Sequence, residues 1–284
     1  MPQELVSETE CSAMRFRKEV DLRGYIRGLG SVVVAYSGGV DSALVLKVAT
    51  EELGGKALGA LGVSPTLAPG EAEAARETAK LMGAEVAEVA PRESTDPAFS
   101  ANPPDRCYYC KRALLAEIRG LARERGFSAV ADGFNADDWA DVRPGQQAAR
   151  EAGVVSPLAE AGLGKAEVRA LARALGVPVW DRPATPCLAS RIPYGTPVTP
   201  EILARVAEAE RAVRSVLPGL AQVRIRHFGA RALVQVDPDR VADLLSRAAE
   251  VASALRGAGY EKIDIDPAGY RRGFLNIVEA VPGR

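Results

Sequence analysis

The groups best suited to chemistry in this 284-residue chain are few: four cysteines supply all its thiols and a single histidine its only imidazole. One imidazole, His227, excludes a zinc site built from several histidines and any chemistry needing a histidine pair. His227 itself reads as a structural residue, which leaves acids, lysines, arginines and thiols to act. Cys107 and Cys110 form a C-x-x-C pair in RCYYCK, a spacing that lets two thiolates converge on one metal or close as a redox pair. The pair follows a proline-rich loop and not a strand, which separates it from a thioredoxin-like arrangement. Cys11 lies near the terminus, so Cys187, in PATPCLASR, is the remaining partner. Three thiolates suit an iron-sulfur cluster with one open iron, because thiolate is the standard cluster ligand and a missing fourth ligand leaves a reactive corner. Three unrelated thiols would satisfy the same spacing.

A second constellation is VVVAYSGGVDS, Val32 to Ser42. A β-branched run breaks into Gly38 and Gly39 just ahead of a helix, so successive backbone N–H groups form an anion-binding nest at the positive end of the helix dipole. Neither the GxxxxGK[ST] nor the GxGxxG spacing is present, and a tight strand-to-helix turn without a ligand is the plainer alternative. Asp132, Asn135, Asp137, Asp138 and Asp141 follow a later strand, where ligands gather in open α/β sheets; turn and helix-cap chemistry accounts for such residues equally well. Arg224 and Arg226 stand two apart in VRIRHF, so both guanidinium groups leave one face of a strand, able to grip one phosphate or to line a solvated face. Ser190 and Arg191 flank Cys187 as weaker contact candidates. Trp139, Trp180 and the tyrosines of CYYC read as packing groups.

The elements that must position these groups alternate. Helical periodicity over FRKEVDLRGYIRGL precedes the strand SVVVAYS, the helix DSALVLKVATEEL, the strand KALGALGV, the helix PGEAEAARETAKLMG ending at Gly83, and the strand AEVAEVA. The apolar, non-alternating first strand suits a parallel sheet covered on both faces. A long excursion, PRESTDPAFSANPPDRCYYCK, then leads to the helix RALLAEIRGLARERG, the strand SAVADG and the helix KAEVRALARALG. After a proline-rich stretch, PEILARVAEAERAVRSVL reads as a helix, QVRIRHF and ARALVQVD as paired strands, PDRVADLLSRAAEVASALRGAG as one helix and YEKIDID as a last strand. The expected architecture is an α/β domain over residues 1–195 and a small α+β domain over 196–284. A formal net charge of -1 argues against a broad nucleic-acid footprint. No apolar run reaches the roughly 20 residues that cross a bilayer, and the first residues lack a signal-peptide core, so the cytoplasm is the expected location.

The string Ser37, Gly38, Gly39, Val40, Asp41, Ser42 after an apolar strand resembles the pyrophosphate loop of the PP-loop ATP pyrophosphatases, similar in fold to adenine nucleotide α-hydrolases. DGFNADDWADVRPG and SPLAEAGLGKAEVRALARALGVPVWDRPATPCLASRIPYG extend the likeness, from about Val32 to His227, to the LarE family. These are ATP-dependent sulfur transferases that build the nickel-pincer nucleotide cofactor of lactate racemase. The resemblance implies that ATP and Mg²⁺ adenylate a carboxylate of pyridinium-3,5-biscarboxylic acid mononucleotide, and that sulfur then makes a thiocarboxylate. In one branch the cysteine of CLASR, here Cys187, gives up its own sulfur. In another, a C-x-x-C pair joins it to hold a 4Fe-4S cluster, and Cys107, Cys110 and Cys187 place this sequence there, with Cys187 a ligand. The same likeness implies that Arg224 and Arg226 take the substrate phosphate, that Ser190 and Arg191 touch substrate, and that Asp41 with an acid such as Asp137 holds Mg²⁺. It also implies that the small domain serves substrate binding and homo-oligomerisation, with other proteins of the cofactor pathway as partners. A PP-loop tRNA thiolase or an amidating enzyme such as an NAD synthetase is the alternative; the balanced charge disfavours the former.

Overall fold

The computed structural model describes residues 8–140, 144–183 and 185–271; the side chain of Cys11 and all of Asp141 lie outside them. Two compact units form, one from Met1–Ser64, Gly70–Glu93 and Cys107–Thr185, the other from Pro65–Pro69, Ser94–Arg106 and Pro186–Arg284.

The first unit is α/β. Its elements are α1 (Glu8–Gly28), β1 (Val32–Tyr36), α2 (Val40–Leu53), β2 (Ala57–Gly62), α3 (Glu71–Leu81), β3 (Val86–Val89), α4 (Arg106–Glu124), β4 (Ala129–Ala131), α5 (Pro144–Glu151) and α6 (Lys165–Ala174). Four parallel strands run in the order β3-β2-β1-β4, with Val32 of β1 in register with Ala57 on one side and Ala129 on the other. β1 is buried along its whole length, as a strand covered on both faces must be. Val33 and Ala35 join Leu58, Ala60 and Val130 against Leu115, Ile118 and Ala122 of α4. Alternation turns Val32, Val34 and Tyr36 to the opposite face, where α2 packs on β1 with α1 and α6 behind it. The chain leaves β1 toward β2 and β3 on one side and returns as β4 on the other, so the loops after β1 and β4 diverge at a topological switch point, the usual place for a ligand crevice.

Two glycines set that edge. Gly38 has φ +77°, and a Cβ there would fall 2.8 Å from the Ala75 Cβ. Gly133, just past β4, approaches the start of α2 so closely that a Cβ would lie 2.6 Å from the Ser42 nitrogen.

The start of α4 differs from the sequence reading. The C-x-x-C pair does not precede a helix but occupies the first turns of α4, which begins at Arg106, two residues after Pro104. Cysteine and tyrosine are weak helix formers, so CYYC carries no periodic signal of its own. The preceding excursion also holds one helical turn, Pro97–Ser100, capped by the Asp96 side chain, which accepts from the Ala98 N–H at 2.9 Å.

The second unit contains α7 (Pro200–Val216), β5 (Val223–Phe228), β6 (Arg231–Val236), α8 (Val241–Ser246), α9 (Ala248–Gly257) and β7 (Lys262–Ile265). β5 and β6 form an antiparallel hairpin, and β7 joins β6 in parallel. Thr199 caps α7, its hydroxyl accepting from the Ile202 N–H at 3.3 Å. Ala209 and Val213 of α7 and Val251 and Leu255 of α9 pack on Val223, Ile225, Ala232, Val234 and Val236. The single helix expected over 238–259 is instead a 3₁₀ turn (Pro238–Arg240), α8 and α9. The break falls at Arg247, whose backbone leaves the helical region (φ -112°, ψ 22°) while its guanidinium bonds the Val216 carbonyl and Glu250.

Gly133→Ala is expected to cost about 1–3 kcal/mol, because the new methyl meets backbone that cannot yield. Gly120→Ala, in α4 with nothing within 4 Å of its added Cβ, is expected to gain about 0.5–1 kcal/mol. Urea unfolding followed by circular dichroism separates the two.

Candidate functional site

In the first unit the turn after β1 is ordered by its own hydroxyls. Ser42 Oγ accepts from the Ser37 N–H at 3.1 Å, lies 3.1 Å from Ser37 Oγ and donates to the Gly39 carbonyl at 3.2 Å. These bonds aim the turn so that the first N–H groups of α2, together with its dipole, face the sheet edge. Asp41, in the first turn of α2, accepts from Asn135 Nδ2 at 3.3 Å through one oxygen and from Lys165 Nζ at 2.9 Å through the other. Asn135 is fully buried and its Oδ1 accepts from the Asp137 N–H at 3.1 Å. Asp137 in turn accepts from the Lys165 N–H at 2.7 Å. Lys165 therefore joins two carboxylates, one through its side chain and one through its backbone. Asp132 accepts from the Phe134 N–H and Ser156 Oγ, and Asp138 from the Asn135 N–H. The acidic run thus supplies loop bonds, and Asp41 and Asp137, linked through Lys165, offer carboxylate oxygens of the kind a hard divalent cation takes.

Cys107 is exposed and Cys110 half-buried. One helical turn apart on the opening of α4, they lie on the same face, which suits two ligands of one metal or cluster. Among the described residues, no three His, Cys, Asp or Glu side chains gather as a metal-holding group. Tyr108 and Tyr109 meet edge to face with Arg112 over both rings. Trp139 packs edge-on against Phe134 yet remains 56% exposed, more open than a core packing role predicts.

In the second unit Cys187, half-buried, caps the 3₁₀ turn Leu188–Arg191. Arg191, wholly buried, ties that turn together: its Nη1 donates to the carbonyls of Pro186 (2.6 Å) and Cys187 (3.0 Å), and its Nε and Nη2 pair with Glu210 of α7. Arg226 Nη1 donates to the Ser190 carbonyl at 2.9 Å, so β5 grips the same turn. Arg224 donates to the Val223 carbonyl at 2.8 Å, and the Tyr270 ring lies under both guanidinium groups, 5.2 Å from Arg224 and 6.0 Å from Arg226. The two arginines do share a face, but it is a buried one. Burial, and then the charge of Arg191, push the pKa of Arg226 down to about 10 and that of Arg224 in the same direction. The backbone that carries Cys187 is thus tied to a desolvated group of cations.

His227 is structural, as read: buried, with Nδ1 3.0 Å from the Tyr260 hydroxyl. Burial, and then Arg205, lower its pKa. Sequence reasoning passed over Lys165 and Glu210, although both carry a signal. A lysine as the first residue of a helix opposes the dipole unless it faces an anion. A glutamate beside Val206, Ala209 and Val213 on an apolar helix stripe needs a buried partner. Gln235, Asp266 and Tyr270 are ordinary in their sequence contexts and gain meaning only from strand pairing.

No family model matches the chain. It is 41% identical over 260 residues, 91% of this chain and 96% of the relative, to an uncharacterized protein of Synechocystis sp.. It is 35% identical over 91% of its length, and 94% of the relative's, to the pyridinium-3,5-bisthiocarboxylic acid mononucleotide synthase of Lactiplantibacillus plantarum. An uncharacterized protein of Methanocaldococcus jannaschii is 25% identical over 84% of this chain and 90% of its own.

Two outcomes follow from the buried charges. Glu210→Ala strands the Arg191 cation and is expected to cost about 3–5 kcal/mol in denaturant unfolding. Because folding depresses the pKa of His227, the unfolded chain takes up the proton first; stability is full above the ordinary value of 6.5 and declines as the pH falls below it toward the folded-state pKa. The slope of the urea midpoint between about pH 7.5 and about pH 5.5 should flatten in His227→Gln.

Proposed function

Since the chain belongs to the LarE family, with 35% identity over 91% of its length to a pyridinium-3,5-bisthiocarboxylic acid mononucleotide synthase, we propose that it is an ATP-dependent sulfur transferase. In this reading it adenylates a carboxylate of pyridinium-3,5-biscarboxylic acid mononucleotide and converts it to a thiocarboxylate. The observation that carries the proposal is the second-unit turn in which the Cys187 backbone sits on one hydrogen-bonded frame with Arg191 and Arg226, with Arg224 buried on the same strand face as Arg226.

A carboxylate is a poor electrophile until one oxygen carries a good leaving group. In the proposed first step that oxygen attacks the α-phosphorus of ATP and pyrophosphate departs. The N–H groups after Ser37, with Gly38, Gly39 and Ser42, would receive the pyrophosphate, Asp41 and Asp137 would hold Mg²⁺, and Lys165 would offset the accumulating charge. Lys165 pairs with Asp41, a contact that Mg²⁺ at Asp41 would replace, turning the ammonium toward phosphate. In the second step sulfur attacks the acyl carbon and AMP leaves, a course suited to sulfur's nucleophilicity at neutral pH. Arg224 and Arg226 would hold the substrate phosphate, with Ser190 and Arg191 shaping the turn beside it.

Cys107, Cys110 and Cys187 would supply the three thiolates of a 4Fe-4S cluster, thiolate being the ligand such a cluster prefers. When bound, the cluster would supply the transferable sulfur, and Cys187 would be preserved from turnover to turnover. Homo-oligomeric association and transfer of the product to other proteins of nickel-pincer nucleotide synthesis complete the reading. Among the described residues no helix is long and apolar enough to cross a membrane.

Cys187→Ala is expected to abolish thiocarboxylate formation, followed by mass spectrometry as oxygen-to-sulfur exchange, while substrate-dependent pyrophosphate release persists. Normal product formation by this variant would remove Cys187 from the mechanism. Asp41→Asn should slow pyrophosphate release by roughly 10²-fold; unchanged release would exclude Asp41 from the ATP site.

A further inference from the structure

The two strand arginines are not oriented alike. Arg224 bonds the carbonyl of its own neighbour, Val223, whereas Arg226 is gripped at two points by separate elements: Nε donates to Gln235 Oε1 at 2.8 Å and Nη1 to the Ser190 carbonyl at 2.9 Å. Gln235 lies on β6 directly across from Arg224, so its amide reaches Arg226 along the diagonal of the hairpin. It is fully buried. Its other end, Nε2, donates to Asp266 Oδ2 at 2.7 Å.

This chain of contacts fixes the amide without ambiguity. A guanidinium only donates and an ionised carboxylate only accepts, so the oxygen of Gln235 must face Arg226 and the nitrogen must face Asp266. Asp266 is itself held as the anion. Burial works against its charge, but the bonds from Gln235 and the Ala268 N–H and the charge of Arg271 outweigh it and keep the carboxyl below its usual range. The backbone past β7 is equally constrained. Gly269 has φ +69°, and a Cβ there would lie 2.8 Å from the Val236 carbonyl oxygen. The next residue, Tyr270, donates its N–H to that same carbonyl at 2.7 Å and presents its ring to both arginines.

We propose that Gln235, oriented by Asp266, is the positioning residue of this subsite: its amide sets the plane of the Arg226 guanidinium so that Arg226 and Arg224 together take a phosphate monoester. This rests on the reading of these two arginines given under Proposed function. A neutral amide orients the cation without bringing charge to it. A carboxylate in the same place would bond Arg226 equally well but compete with the phosphate and repel Asp266.

The test measures binding of inorganic phosphate by calorimetry, and KM and kcat for the mononucleotide, on the full chain. Wild type is compared with Arg226→Ala, Gln235→Leu and Gln235→Glu, with unfolding temperatures recorded for each. Gln235→Leu is expected to weaken phosphate binding and raise KM by about 10-fold or more, with kcat within about 3-fold, since a misdirected cation costs binding before chemistry. Gln235→Glu, of the same shape, should weaken binding at least as much. It carries the test alone should the leucine variant not fold. Wild-type phosphate affinity in a folded Gln235 variant, beside lost affinity in Arg226→Ala, would overturn the positioning role and leave the phosphate site standing. Absence of phosphate binding by wild type would overturn both.

Discussion

The second unit is organised around the burial of three guanidinium groups. Arg191, Arg224 and Arg226 are each at most 5% exposed. Taking a cation from water costs several kcal/mol unless it is paired and hydrogen-bonded, so the local structure is arranged to meet that cost. Glu210 pairs with Arg191, backbone carbonyls of the Cys187 turn and of β5 receive the N–H groups, Gln235 receives Arg226, and an aromatic ring lies against two of the three. Burial, and then the charge of Arg191, still lower the pKa of Arg226 and Arg224. The bonds of Arg191 and Arg226 also fix the turn that carries Cys187, so burial of the cations and placement of that turn have one structural cause.

A different constraint governs the first unit. There the strand order β3-β2-β1-β4 separates the loops after β1 and β4, and glycine at positions 38 and 133 lets backbone approach backbone where a side chain would collide. The N–H groups that open α2 and the oxygens of Asp41 and Asp137 then lie at a common edge, the two carboxylates bridged by Lys165. In the proposed reading the first unit carries the groups for activation together with Cys107 and Cys110, and the second carries Cys187 and the arginines for phosphate capture. Each is prepared by local chemistry of its own.

Much of this was legible in the residues. The β-branched run before Gly38 announced a buried strand running through a tight turn into a helix, and helix α7 was bounded by its Thr199-Pro200 start. Arg224 and Arg226 declared a shared face by their spacing of two. What spacing does not reveal is whether such a face meets water. Burial on both faces of β5 follows from the covering turn at Cys187 and from Tyr270, residues 37 before and 46 after Arg224 in order of sequence, and no local pattern encodes that. The helix start at Arg106 and the break at Arg247 escaped for the opposite reason. In both places a local signal was weak and a specific contact decided: prolines ahead of Arg106, and the Val216 carbonyl claimed by Arg247.

The balance of charge becomes informative once its distribution is known. A chain of net charge -1 that keeps three cations inside presents little positive field at long range, because an exposed partner feels them only across the protein and a screening solvent. Their charge acts instead at short range, on groups in contact with them. Under the proposed reading a terminal phosphate with two ionisable oxygens would meet both Arg224 and Arg226, as the monoanions of a phosphodiester polymer would not. The inward placement of the arginines, more than their number, sets the short reach of their charge.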